Sequence, residues 1–288
     1  MSWDLPGTAR VPRAGDEIFD CVAPTRGKTS CAWAVSDSRY NGARSAWDAR
    51  GPRGGALTPS AASRKATPMS TSVKICGLST AETLAAALEA EADMVGFVFF
   101  EKSPRHVSLD TAKALAARAR DRAEIVALTV DADDAALEAI VKAIEPEYLQ
   151  LHGVESPERV AEIQRKFGIS AIKAIGVATA ADLARADEYK QAADALLIDA
   201  KPPKGAVLPG GNGVAFDWRL ARGFHPRKPW FLSGGLDAGN VGRAIRESLA
   251  RSVDVSSGVE SAPGVKDADK IRAFVATARE AFAAVDRE

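Results

Sequence analysis

Two side chains stand where apolar runs deliver them to the edge of regular structure. Cys76 lies in Lys74-Ile75-Cys76-Gly77-Leu78, a short apolar stretch that passes through a glycine into helical spacing. A thiol between a strand end and a helix start feels the helix dipole, and Lys74 adds a nearby positive charge. Both lower a thiol's pKa and favour a thiolate that serves as base or nucleophile. A buried core cysteine fits the position equally well. Asp199 ends Leu197-Ile198-Asp199. The apolar residues before it set its carboxylate in a partly dry site, where its pKa rises toward general-acid use. A helix cap or loop acid is the plainer alternative.

Groups suited to anions surround these two in the sequence. Arg105 follows Pro104 in Ser103-Pro104-Arg105-His106-Val107, and a guanidinium grips a carboxylate bidentately. In isolation a solvated loop arginine reads as well. Ser233-Gly234-Gly235 and Asp254-Val255-Ser256-Ser257-Gly258 offer small residues, whose backbone N–H groups can approach a phosphate, and serine hydroxyls as further donors. His152, in Gln150-Leu151-His152-Gly153, is either a ligand-facing group or a satisfied histidine at a rim. The run Leu208-Pro209-Gly210-Gly211-Asn212-Gly213, with Gly211 at its centre, reads as a loop that closes on a ligand. Together these residues imply a small phosphorylated substrate, one thiol, one carboxylic acid and an arginine for a second anion. The three histidines lack metal-ligand spacing, and the chain has neither a P-loop nor a nicotinamide fingerprint, so no metal and no cofactor is expected.

These residues need a scaffold that brings strand ends together. Short apolar runs at Val73–Cys76, Met94–Phe99, Ile125–Val130, Tyr148–Leu151, Ala171–Ile175, Ala195–Ile198, Trp230–Leu232 and Val253–Val255 suit parallel strands buried on both faces. Between them apolar residues recur at helical spacing, as in Leu137, Ile140, Val141 and Ile144, and Thr80, Ser108, Ser156 and Thr179 are suited to cap helices. Eight strands, each followed by a helix, predict an α/β fold of the (β/α)8 barrel type, with an open doubly wound sheet as runner-up. In the barrel the first and sixth strands lie three apart around the ring, so Cys76 and Asp199 face one another across the mouth. A phosphate site after strands 7 and 8 recurs in this fold.

Composition sets the outer limits. The 288 residues carry 38 basic and 38 acidic side chains, a balance that argues against a nucleic-acid partner. No apolar run is long enough for a membrane span, and three scattered cysteines make no disulfide framework, so a reducing cytoplasm is the expected compartment. The charge balance is a sum of unlike parts. Residues 1–68 hold eight Arg and two Lys against six acids, together with two of the three Cys, and show no sustained apolar period. They read as a disordered extension or a misassigned start, and the four acids among their first 20 residues argue against a transit peptide. The working domain is expected over 69–288.

The strings K-I-C-G-L, S-P-R-H-V, L-Q-L-H-G, L-I-D-A, P-G-G-N-G-V-A-F-D-W, L-S-G-G-L and V-D-V-S-S-G-V-E occur in this order between Val73 and Phe282. As a set they resemble phosphoribosylanthranilate isomerase of tryptophan biosynthesis. The resemblance implies an Amadori rearrangement of an aminoaldose to a ketose without a cofactor, with Asp199 as general acid and Cys76 as general base. It further implies that Arg105 holds the anthranilate carboxylate, that Gly234, Gly235, Ser256, Ser257 and Gly258 cradle the phosphate, and that His152 and Asp254 line the pocket. Asn212 stands where the family often has Thr or Ser. A sister sugar isomerase of histidine biosynthesis would carry aspartates on strands 1 and 5, where this chain has Cys76 and Ile175-Gly176. A non-catalytic phosphate-binding barrel would need the Gly/Ser turns but not Cys76 and Asp199 together. The expected partner is a small phosphosugar, with neither nucleic acid nor membrane, and the expected state is a monomer with a dimer as alternative.

Overall fold

Eight of the apolar runs become eight parallel strands: β1 (Ser72–Cys76), β2 (Met94–Phe99), β3 (Glu124–Thr129), β4 (Tyr148–Leu151), β5 (Ser170–Val177), β6 (Ala195–Ala200), β7 (Trp230–Leu232) and β8 (Ser252–Val255). The computed structural model describes residues 71–287 apart from Lys204 and Val207. The expectation for residues 1–68 lies outside the described residues. Each strand pairs with the next in chain order, and β8 returns to pair with β1, so the sheet closes into an eight-stranded barrel. Closure removes both sheet edges and decides against the open doubly wound alternative.

Successive side chains of a strand point to opposite faces, and the packing follows that period. Val73, Ile75, Leu149, Leu151, Leu196, Ile198, Val253 and Val255 pack outward into the main cluster with the helices. Met94, Val126, Ile172, Ala174, Leu197 and Phe231 form a second cluster inside the barrel. Above it Cys76, Val98 and Leu128 make a smaller group with Phe100 and Val130. The residues that alternate with the outward set, Lys74 and Cys76, Gln150, Asp199, and Asp254, are therefore those aimed at the barrel axis. Both faces are apolar along most of each strand, which hides the alternation in the sequence.

The helices begin where caps are available. Thr80 accepts the Thr83 backbone N–H before α1 (Ala81–Glu89), and Ser108 accepts that of Thr111 before α2 (Leu109–Ala119). Asp133 caps α3 (Asp134–Ile144), and Ser156 caps α4 (Pro157–Phe167), which has Pro157 in its first turn and ends on Gly168 at φ 66°. Thr179 and Asp182 form a reciprocal capping box on α5 (Ala180–Ala184). Then follow α6 (Val241–Ser248) and α7 (Ala268–Val285), the latter capped by Asp267.

The expectation of a helix after every strand needs correction in two places. α5 is only five residues and continues as a 3₁₀ turn over Arg185–Tyr189. Between β6 and β7, among the described residues, the only helical element is a 3₁₀ turn at Trp218–Ala221. Pro202, Pro203 and Pro209 remove backbone donors there, and Gly205, Gly210, Gly211 and Gly213 raise the cost of helical order. A hairpin that the periodicity did not foresee, β9 (Glu260–Ala262) with β10 (Val265–Lys266), lies between β8 and α7.

Candidate active site

Cys76 ends β1 on the inward phase and is 3% exposed. Below it, two residues earlier on the same face, Lys74 is fully buried and donates to Asp254 Oδ1 at 2.7 Å across the β1–β8 seam. Burial alone would lower the Lys74 ammonium, but Asp254 and Cys76 beside it hold it above its ordinary value. For Cys76 the balance falls the other way. Burial raises the thiol, Asp254 adds to that, and Lys74 and Lys266 only partly offset it. The expected lowering of the thiol pKa by Lys74 and a helix start is thus corrected: loss of hydration in the barrel interior exceeds the cationic pull. The site holds a thiol at rest, with an ammonium positioned to stabilise the thiolate when it forms. Gly96 on β2 makes room for it, because a Cβ there would lie 3.0 Å from Cys76 Sγ.

Arg105, on the loop after β2, is buried and rigidly held. Its Nε donates to Glu260 Oε1 at 2.7 Å and its Nη2 to Glu260 Oε2 at 3.0 Å. Lys266 Nζ donates to the same carboxylate at 2.8 Å, and the Gly264 N–H at 3.1 Å. Burial would raise the Glu260 carboxyl, but Arg105 and Lys266 more than offset it and hold it below 4.5. One edge of the guanidinium is thereby fixed on the β9–β10 hairpin. Nη2 also donates to the Gly211 carbonyl at 3.2 Å, so the remaining edge faces the loop after β6. Glu260 and Lys266 were not foreseen as members of this site. Glu260 stands in the V-S-S-G-V-E string, but nothing in the sequence pairs it with an arginine 155 positions away.

Asp199 comes off β6 with its carboxylate buried. Oδ1 accepts the Ala200 backbone N–H at 2.9 Å, and Oδ2 lies 3.3 Å from His152 Nε2. His152 follows β4, and its Nδ1 is 3.1 Å from Gln150 Nε2. Gly210 lies over the pair: a Cβ there would come within 2.5 Å of Asp199 Oδ2 and of His152 Nε2. The loop after β6 therefore covers both the Asp199–His152 pair and Arg105.

The turns after β7 and β8 complete the ring. Gly234 and Gly235 take φ of 88° and 63°, in the left-handed region where side chains are strained. Ser233 Oγ donates to Asp254 Oδ2 at 3.2 Å, which ties the two strand ends together. Ser256 Oγ accepts from Lys266 Nζ at 3.2 Å. One cleft is lined by Cys76, Arg105, His152, Asp199, Gly211, Gly234, Gly235, Asp254, Ser256 and Ser257, with Phe100, Leu128 and Val130 as apolar wall. Gly258 alone of the residues singled out in the sequence does not line it. It lies under the β7 turn, where a Cβ would overlap the Leu236 carbonyl oxygen. A thiol beside an ammonium, a covered carboxyl group, an arginine and a pair of small-residue turns in one cleft can move two protons on an anionic substrate.

Comparison with known proteins points the same way. The family model described as N-(5'phosphoribosyl)anthranilate (PRA) isomerase matches residues 73–277. The N-(5'-phosphoribosyl)anthranilate isomerase of Rhodopseudomonas palustris strain ATCC BAA-98 / CGA009 is 57% identical over 213 residues, 74% of this chain and 100% of the relative. That of Nitrobacter hamburgensis is 58% identical over 213 residues, 74% of this chain and 95% of the relative. Among solved structures, phosphoribosylanthranilate isomerase from Thermotoga maritima matches with a TM-score of 0.65 at 35% identity, over 73% of this chain and 99% of that one. A phosphoribosylanthranilate isomerase in complex with reduced 1-(o-carboxyphenylamino)-1-deoxyribulose 5-phosphate matches with a TM-score of 0.64 at 33% identity, over the same shares.

Proposed function

This chain belongs to the N-(5'-phosphoribosyl)anthranilate isomerase family and catalyses that family's step of tryptophan biosynthesis, and we propose that Asp199 is its general acid and Cys76 its general base. The substrate is N-(5'-phosphoribosyl)anthranilate and the product 1-(2-carboxyphenylamino)-1-deoxyribulose 5-phosphate. Asp199 gives a proton to the furanose ring oxygen as the C1–O bond breaks, which leaves an open-chain iminium. The Cys76 thiolate then takes the proton from C2. The resulting enolamine tautomerises to the ketone. Each proton transfer contributes roughly 10²–10⁴-fold.

The observation that carries this reading is that one cleft holds both a thiol with an ammonium beside it and a covered carboxyl group. The free edge of Arg105 is matched to the anthranilate carboxylate, in exchange for the Gly211 carbonyl. Gly234, Gly235, Ser256 and Ser257 form the phosphate cradle, Gly258 supports it from below, and Gly211 closes over the substrate. His152 and Asp254 line the pocket as supports of the acid and of the base.

We assign the isomerase domain to residues 69–288, working as a monomer in the cytoplasm. Among the described residues no helix is long and apolar enough to cross a membrane. A dimer is the alternative state, and light scattering on the eluting protein distinguishes the two. The chemical assignment is tested by the fluorescence loss of phosphoribosylanthranilate. Cys76→Ala and Asp199→Asn should each reduce kcat by about 10²-fold or more while the fold is retained. Unchanged turnover in both would defeat the acid–base assignment.

A further inference from the structure

Of the three histidines, His152 is the one that lines the cleft. Its ring has two neighbours of opposite character. Nε2 faces Asp199 Oδ2 at 3.3 Å, and Nδ1 faces Gln150 Nε2 at 3.1 Å. A primary amide nitrogen has only hydrogens to offer, so a ring nitrogen that accepts from it must be bare, and the proton of a neutral imidazole then sits on Nε2. Gln150 is fully buried on the inward face of β4, and its Oε1 has no partner. Turning the amide would put Oε1 against Nδ1, moving the ring proton there and leaving a bare Nε2 lone pair against a carboxylate oxygen. Once Asp199 has given up its proton, only the orientation with Nε2–H leaves that carboxylate a donor.

We propose that Gln150 fixes His152 as an Nε2–H donor to Asp199, and that both are positioning residues of the general acid. The inference rests on the reading of Asp199 as that acid. A bare Nε2 would compete with the substrate's ring oxygen for the Asp199 proton and would trap it as an imidazolium. An Nε2–H cannot accept it. With Oδ2 taking the histidine hydrogen bond and Gly210 closing the top, the proton's remaining destination is the substrate. The hydrogen bond also strengthens as negative charge grows on Asp199 during the transfer, so it acts in the transition state rather than in binding. Gln150 is thereby a residue of the catalytic machinery that touches no reacting atom.

The test uses the full chain labelled with ¹⁵N-histidine, in which only His106, His152 and His225 contribute ring signals. His152→Gln removes the His152 signals and so assigns them. Its amide reaches the place of Nε2 and should keep most of kcat. The wild type should show a bare Nδ1 and a protonated Nε2 at His152. Gln150→Glu presents a carboxylate to Nδ1 and should move the ring proton there. That variant and His152→Ala should lower kcat by about ten- to a hundredfold, the worth of one hydrogen bond to a charged group, with KM little changed. Gln150→Met, close in shape and without a donor, serves if the glutamate variant does not fold, and should lose the single tautomer. A protonated Nδ1 in the wild type overturns the proposal. So does a displaced tautomer with kcat unchanged. Full turnover in Asp199→Asn sinks the acid assignment instead, whatever the spectra show, so the two failures are distinguishable.

Discussion

Lys74 shows how a single buried charge can serve stability and chemistry together. Its ammonium is fully buried against Asp254, and it is the cation nearest in sequence to the proposed base. Removing one member of a buried pair leaves the other uncompensated, so Lys74→Met should destabilise the fold by about 3–5 kcal/mol, read as a denaturant midpoint shift at constant m. Adding Asp254→Leu should recover most of that stability without recovering turnover. Since burial holds the Cys76 thiol above 9.0, the free enzyme's kcat/KM should climb with pH past neutrality as thiolate accumulates. A profile already flat by pH 7 would contradict the balance of burial over Lys74. The linkage has the matching sign. A raised thiol contributes stability below 9.0 that is lost as pH rises through its folded value. Geometry is as tight as electrostatics here. Gly96→Ala places a Cβ 3.0 Å from Sγ and 3.2 Å from the Cys76 Cα, so the thiol must turn away. Turnover should fall by about a hundredfold, the cost of a displacement on the order of 1 Å, with a smaller loss of stability.

At the scale of elements, the β9–β10 hairpin is the part that positions Arg105. Glu260→Gln keeps the shape but leaves Arg105 and Lys266 facing a neutral amide. Substrate KM should rise more than kcat falls, because the guanidinium is no longer held at the angle a carboxylate needs. The stability effect depends on pH in a defined direction. Glu260 is held below 4.5, so its contribution is present above that value and is lost as pH falls through the lower folded value. Melting curves of the wild type should therefore drop more steeply than those of Glu260→Gln as the pH falls below 4.5. This hairpin also marks where sequence reading stops. The eight strands are legible because buried parallel strands are short apolar runs, and most caps because Ser, Thr and Asp bind helix N–H groups locally. Cys76, Asp199 and the two anion turns are legible as polar residues at the ends of such runs. Glu260, Lys266 and Gln150 are not: only barrel closure brings Arg105 to Glu260, an unforeseen hairpin brings Lys266 to it, and nothing in the strand pattern marks Gln150 as facing the His152 ring. The missing helix after β6 is a related case, since a loop of Pro and Gly has no period to read.

For the molecule as a whole, the family match and every residue assigned a role fall within 73–277. The fragment 69–288 should therefore show the same kcat/KM and melting temperature as the full chain. A marked loss of either would return a role to residues 1–68. A different consequence follows from the seam where β8 meets β1. Its ladder joins Ser72 to Ser252 and Ile75 to Val255, and the Lys74–Asp254 pair crosses it over 180 positions of sequence. A ribosome delivers β1 first and β8 last, about 10–40 s apart at ordinary elongation rates. Through that interval β1 has an unpaired edge and Lys74 lacks its counter-ion. Nascent chains halted before Ser252 should be inactive and prone to associate through that edge. The last strand to emerge both seals the barrel and delivers the partner of the cation beneath Cys76, so the newborn enzyme acquires its shape and its reactivity in one event.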